Sequence, residues 1–354
     1  MQKVLLNMTL TCLAICLCAC SSDVVRESSE FLKQKDALPW FSRCRIYDIN
    51  GQEAVLLPTD YGFATIDTET KKVDTIYDKL YAGISEFCYN SDDETIWAQL
   101  ENRNLNIWNS KTCTEIPCPP TKHQREFVKW FGFGAYDPFF LFGNILYTGI
   151  NPSSDSDVNF ADFRAKSGLI AAWDISNPDS VRCVKIFGKR PSDQPKDMFI
   201  DDCYQTAFNV EDSIIVAGTE LSQNVVVMTM SGKTLREKKL SSKFYVKPEK
   251  KDFSQNHSAK DKMQYWEENM LFRGLFYDKY RKLYYRILQL PKQEDKSLFT
   301  KRKQGWVLIV ADSKLNKKYE LKFDGEKYKC AILIGKQGVY IRTTGNTMDL
   351  FVFD

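Results

Sequence analysis

The chain has 354 residues, of which 43% are hydrophobic, 13% aromatic and 27% charged, and a formal net charge of +3. That length is ample for a large core; it suggests two domains, although all-β folds run past about 250 residues as one. So near-neutral a balance makes no field that would hold a nucleic acid, and the aromatic content suits strands better than helices.

Residues 1–19 read as a leader rather than as fold. Lys3 supplies a positive start, residues 4–18 are mostly apolar, and the stretch is too short to span a bilayer comfortably. Leu17-Cys18-Ala19-Cys20 resembles the lipobox of bacterial lipoproteins. A small residue at Ala19 fits a peptidase cleft, and Cys20 offers the thiol that takes the lipid. On that reading the membrane is a partner through the lipid on Cys20, in the cell envelope. Ser21 directly after Cys20 resembles lipoproteins routed to the outer membrane. The plain alternative is a secretory signal whose cysteines serve as small hydrophobes. Residues 20–37 are polar, charged and without period, as a tether is.

The chain holds eleven cysteines, four of them in the leader when Cys20 is counted. The seven others cannot all pair within one chain, and their irregular spacing is no disulfide framework. Cys113 and Cys118, flanking a turn, are the best candidate pair.

From residue 38 onward the sequence predicts strands in sets. The first set is 44–48, 54–59, 62–67 and 73–78, with Asn50-Gly51 and Asp60-Tyr61-Gly62 supplying hairpin chemistry. The second is 87–90, 95–100, 104–108 and 114–118, ended by Pro119 and Pro120. The third is 127–133, 145–149, 169–174 and 182–187, with a long loop at 151–167. The fourth is 204–209, 214–219, 225–229 and 235–240. A helix is predicted over 258–269, capped by Ser258 with Asp261 in its first turn. The fifth set is 271–277, 282–290, 306–311 and 318–323, interrupted by a charged insertion at 292–304. The sixth is one strand short: 329–334, 339–343 and 350–353.

The third strand of each set ends the same way, in a short apolar run closed by a small polar residue. The closures are Asp67, Asn109, Asp174, Ser231, Asp312 and Asp354, spaced 42, 65, 57, 81 and 42 residues apart. A supersecondary unit recurring at about 42 residues, with the excess as loop, points to a propeller. The expected fold is therefore all-β: a six-bladed β-propeller over residues 38–354, its last blade closed by an N-terminal strand. A ring needs that last sheet completed, or an edge stays open to aggregation, and residues 38–43 are the expected donor. Seven blades or a pair of stacked sheets are the alternatives.

The chemistry of catalysis is thin. His123 and His257 are the only histidines, both in predicted loops, which removes most His-based metal sites and nucleophile pairs. No phosphate-binding glycine loop occurs, Gly132-Phe133-Gly134 lacks a third glycine, and no cofactor is indicated. Asp155, Asp157 and Asn159 alternate as the start of a calcium loop does, with Asp162 following. Phe160 stands where that loop needs Gly, however, and Lys166 where a bidentate Glu would close it, so a solvated acidic loop is the better reading. Asp201 and Asp202 point in opposite directions on an extended chain and do not form an acid–base pair. Asp278-Lys279-Tyr280-Arg281 reads as a strand turn. Arg125, Lys129, Trp130, Asp202, Tyr204 and Arg273 fall where inner strands should begin. That places them around one mouth of the channel, a polar and aromatic rim suited to a peptide or sugar.

The lipobox, the six-unit count and stretches such as Leu240-Ser-Ser-Lys-Phe-Tyr245 and Tyr277-Asp-Lys-Tyr-Arg-Lys-Leu-Tyr-Tyr-Arg286 together resemble a family of gut-bacterial lipoproteins without an established activity. These are similar to TolB-like six-bladed propellers. The resemblance covers most of residues 38–354, but its motifs are turn and strand residues, so no catalytic residue comes with it. The functional expectation is a lipid-anchored envelope propeller that binds a protein, peptide or glycan without catalysis. The alternative is an envelope lyase or hydrolase working at the channel mouth.

Overall fold

The computed structural model describes residues 25–29, 44–49, 51–59, 62–70, 72–77, 84–100, 105–108, 113–116, 139–149, 168–194, 204–249, 259–292, 294–295, 300–301, 304–345 and 347–354. Six four-stranded antiparallel sheets account for nearly all of the strands. Blade one is β2 (Arg45–Ile49), β3 (Gln52–Thr59), β4 (Gly62–Asp67) and β5 (Val73–Tyr77). Blade two is β6 (Ile84–Asn90), β7 (Thr95–Leu100), β8 (Leu105–Trp108) and β9 (Cys113–Ile116). Blade three is β10 (Phe139–Phe142), β11 (Ile145–Gly149), β12 (Ile170–Asp174) and β13 (Arg182–Phe187). Blade four is β14 (Tyr204–Asn209), β15 (Ile214–Thr219), β16 (Asn224–Thr229) and β17 (Thr234–Lys239).

The helix α1 (Ala259–Glu268) precedes blade five, made of β18 (Leu271–Asp278), β19 (Leu283–Gln289), β22 (Trp306–Ala311) and β23 (Lys317–Phe323). A two-stranded ribbon, β20 (Glu294–Asp295) with β21 (Thr300–Lys301), rises from its charged insertion. Blade six takes β24 (Tyr328–Ile334), β25 (Val339–Thr343) and β26 (Met348–Val352) from the end of the chain, and β1 (Val25–Ser29) from its start.

The ring is visible in where the apolar side chains meet. One core lies between blades one and two (Leu56, Phe63, Phe87, Trp108), and others between two and three and between three and four. The largest fills the space between four and five, and another that between five and six. A sixth joins six to one, with Leu333, Tyr340, Met348 and Leu350 against Val55, Leu57, Ala64 and Ile66. Every blade thus buries both faces. That explains why the middle strands read as unbroken apolar runs, as in the fully buried Trp306–Ala311. The outermost strands have one edge in solvent and are polar, as in Thr234–Lys239.

The recurring Asp closures have a local cause. Asp67, Asp174 and Asp312 turn their carboxylates back onto the backbone N–H groups of the turn that leads to the outer strand, for example Asp312 Oδ1 with Lys314 N at 2.9 Å and Asn316 N at 2.8 Å. The first turn of three blades uses the same device. Asn90, Asn209 and Asp278 each accept from the backbone two or three residues on. Each of those turns ends on a left-handed residue: Glu94, Ser213 and Lys282. A register slip where the third strand meets the fourth recurs in blades one, three, four and five and twists the outer strand away.

Two strands differ from expectation. The strand that completes blade six is Val25–Ser29, paired Arg26 to Phe351 and Glu27 to Leu350, and not 38–43, which lie outside the described residues. The ordered ring therefore begins inside the stretch read as tether. An outermost strand is held by its backbone ladder and needs no apolar run, so Val-Arg-Glu-Ser-Ser gives no strand signal. The innermost strand of blade three is Phe139–Phe142, joined to β11 by the tight turn at Gly143, whose φ of 55° suits glycine. The expected 127–133 lie outside the described residues.

Two outcomes follow. A chain starting at residue 31 lacks β1, exposes the ladder of β26, and loses roughly 3–5 kcal/mol of backbone bonding. Compared with a chain starting at residue 21, its melting temperature should fall by roughly 5 °C or more, with self-association visible by light scattering. The second outcome concerns acid. The bonds from Ser176, then Arg182, hold the Asp174 carboxyl below its usual range; burial pushes Asp312 up, but the bonds from Asn316 and Lys314 outweigh it and leave it low as well. As pH falls, the unfolded chain takes up those protons first, so stability is present above the ordinary carboxylate range and is lost through and below it. Thermal melts between pH 7 and pH 3 should show that slope, and Asp312→Asn should flatten it.

Candidate functional site

All six inner strands begin at one mouth of the channel, called here the loop mouth, and end at the other, the turn mouth. The loop mouth carries α1, the β20–β21 ribbon and the β15–β16 turn. Gln205 on β14 donates to the carbonyl of Phe272 on β18, which draws the starts of those two inner strands together. Tyr204 and Arg273 flank that bond. Phe272 N in turn donates to Glu220 O at 2.9 Å.

Arg273 is the centre of this mouth. Its guanidinium pairs with Glu220, a carboxylate only 1% exposed, and donates to Gln289 Oε1 at 3.0 Å. It also lies over the indole of Trp266, 5.7 Å from the ring. Trp266 is placed there by α1, which is anchored through Tyr265, packed with Leu221 and Leu271, its hydroxyl donating to Glu249 O at 2.8 Å. The carbonyls at the C-terminal end of α1 are answered from blade five. Gln289 donates to Trp266 O at 2.9 Å, and Lys292 N to Glu267 O at 2.7 Å.

Beneath the rim sits a buried cation. Arg286 on β19 has no solvent exposure, yet it reaches four backbone carbonyls of blade four: Leu240 at 2.7 Å, Ser222 at 2.8 Å, Gln223 at 3.0 Å and Thr219 at 3.3 Å. Its guanidinium stacks 3.6 Å from the centre of Phe272, and Tyr245 stacks against the same ring. Gly218 leaves it room, since a Cβ there would stand 3.0 Å from Nη2. Burial pulls the Arg286 pKa down to about 9, with Asp193 and then Tyr245 opposing. Burial likewise pushes the Tyr245 hydroxyl up to about 12. Around these groups three buried polar atoms have no hydrogen-bond partner among the described residues: Gln205 Oε1, Thr219 Oγ1 and Trp266 Nε1.

The turn mouth is a lock instead. Arg281 donates to Asp278 Oδ2 at 2.7 Å and to Gly335 O and Lys336 O at 3.1 Å and 2.7 Å, while Lys336 N donates to Glu53 Oε1 at 2.7 Å. Tyr285 donates to the same Asp278 oxygen at 3.0 Å. Blades five, six and one are thereby tied together, and Asp278–Arg281 is a turn, as its sequence suggests.

Of the rim residues read from the sequence, Tyr204 and Arg273 stand at the loop mouth, on neighbouring strands. Arg125, Lys129, Trp130 and Asp202 lie outside the described residues, as do Cys20, Cys118 and the acidic triplet Asp155, Asp157 and Asn159. Among the described residues no cluster of His, Cys, Asp or Glu is arranged to hold a metal ion. Sequence reasoning missed Glu220, Trp266, Gln289 and Arg286. Only Arg286 left a mark there, as one charge inside the apolar run Leu283–Leu290.

Sheet count, closure and core together define a six-bladed β-propeller. Residues 159–322 match a family described as a domain of unknown function, DUF4221. A crystal structure of a DUF4221 family member from Bacteroides vulgatus ATCC 8482 is similar over 94% of this chain and 98% of its own, with a TM-score of 0.74 and 17% identity. That likeness bears on the fold alone. A chain of a mitotic checkpoint complex is similar over 94% of this chain and 92% of its own, at a TM-score of 0.43 and 8% identity, too loose to bear on any argument. No curated protein matches the chain.

Arg286→Ala should take a donor from four carbonyls and lower stability by on the order of 3–5 kcal/mol in denaturant unfolding. Arg286→Lys, with fewer donors in a different geometry, should recover less than half of that.

Proposed function

We propose that the protein is a lipid-anchored propeller of the cell envelope, attached to the outer membrane through Cys20, and that its loop mouth binds a peptide, protein or glycan without catalysis. The similarity to TolB-like propellers is part of the same reading. The observation that carries it is the make-up of the loop mouth. An indole and an Arg–Glu pair, with three buried polar atoms beneath them that have no partner among the described residues, stand at the end of the channel that bears α1 and the β20–β21 ribbon. Partnerless donors and acceptors in a wall are where a bound polar group recovers bonding that the fold leaves unmade. An aromatic face beside them suits a sugar ring or a peptide side chain. The anchor rests on Leu17–Cys20 and the apolar leader before it. Among the described residues no helix is long and apolar enough to cross a membrane.

The test takes the chain from residue 21 to glycan and peptide arrays, followed by calorimetry on the hits. Binding that drops at least about tenfold in Trp266→Ala and in Thr219→Val, in chains that still unfold cooperatively, is the expected result. Binding indifferent to both changes, or turnover of the bound compound, overturns the reading. Incorporation of labelled palmitate in cells, abolished by Cys20→Ser, checks the anchor separately.

A further inference from the structure

The position of β1 says how such an anchor would orient the ring. β1 runs antiparallel to β26, with Val25 opposite Val352 and Ser29 opposite Met348. β26 is the third strand of its blade and runs the same way as the inner strand β24, from the loop mouth to the turn mouth. Val25 therefore lies at the turn-mouth end of the outer edge of blade six. Only residues 21–24 separate it from Cys20. Fully extended, that connection reaches no more than about 18 Å, which is about the length of β1 itself.

We infer that lipid on Cys20 holds the turn-mouth rim of blades five and six against a phospholipid surface and turns the loop mouth away from it. This rests on the anchor proposed above and adds a direction to it. A tether of eighteen residues would let the ring adopt any attitude; one of four does not. The rim has the chemistry of an interface. On the turns of blade five Lys279 and Lys314 are exposed, and Tyr280 is 38% exposed with the Lys279 amine 5.1 Å from its ring. Lys336 stands on the turn of blade six, 3.6 Å from Asp48. Lysine and tyrosine are side chains that place an apolar stem at the headgroup level while a polar end stays wet. The binding mouth then faces the aqueous compartment, open to partners in solution.

The experiment uses the full acylated chain in vesicles carrying a nickel-chelating lipid. Ser313→Cys, in the β22–β23 turn, and Glu326→Cys, in the β23–β24 connection, place a nitroxide on the same part of the ring at opposite mouths; the unsubstituted protein is the blank for native thiols. The expected result is relaxation by headgroup nickel at least severalfold stronger at 313 than at 326. An insert of about twelve Gly/Ser residues between Ser22 and Asp23 adds roughly 40 Å of reach and should erase the difference. Equal or reversed relaxation without the insert, or a difference that survives it, overturns the orientation while leaving the anchor standing. Mass spectrometry of the N-terminal peptide reads the anchor itself: an unacylated Cys20 removes both.

Discussion

The structure depends on one requirement: a four-stranded sheet with two apolar faces must have a neighbour on each. Blade five shows it most plainly. The side chains of Trp306–Ala311 are all buried, some against blade four and the alternate ones against blade six. No such sheet is stable alone, and an open stack of six would leave two such faces in water. The pairing of Val55, Leu57 and Ile66 with Leu333, Tyr340 and Leu350 removes both at once. At about 1.5–3 kcal/mol for each fully buried large apolar side chain, that seam outweighs the few backbone bonds of β1 that lie over it. The strand secures an edge, while the side chains close the ring.

Polar groups divide the two mouths by role. At the turn mouth the carboxylates answer nearby backbone N–H groups, and Arg281 and Glu53 bridge from blade to blade. At the loop mouth the charge is spent on holding added pieces in place, Arg286 under the β15–β16 turn and Arg273 against α1. That second arrangement leaves Gln205 Oε1, Thr219 Oγ1 and Trp266 Nε1 without partners among the described residues.

The sequence made the framework legible because strands buried on both faces must be apolar and turns of fixed geometry need Asp or Asn. Asp67, Asp174 and Asp312 could be recognised before their hydrogen bonds were seen. The closing strand escaped for the opposite reason. Val25–Ser29 meets a partner on one edge only, and its residues are ones a disordered tether also uses. The short Phe139–Phe142 lost to the longer aromatic run before it, since apolar content alone does not reveal which run pairs with β11. At the mouth, Arg273 was singled out by counting to the start of an inner strand, and it lies near the start of β18. Its partners Glu220, Gln289 and Trp266 come from the β15–β16 turn, β19 and α1, and no spacing along the chain joins them.

Closure by β1 also fixes an order of events in the making of the molecule. β1 and β26 are the first and last of the described strands, so their pairing closes a very long loop and must wait until β26 has been made. Until then each nascent fragment carries an unpaired edge, and an interrupted product has no way to hide it. Pairing of β1 with β26 is what turns an intermediate with an open edge into a sealed ring.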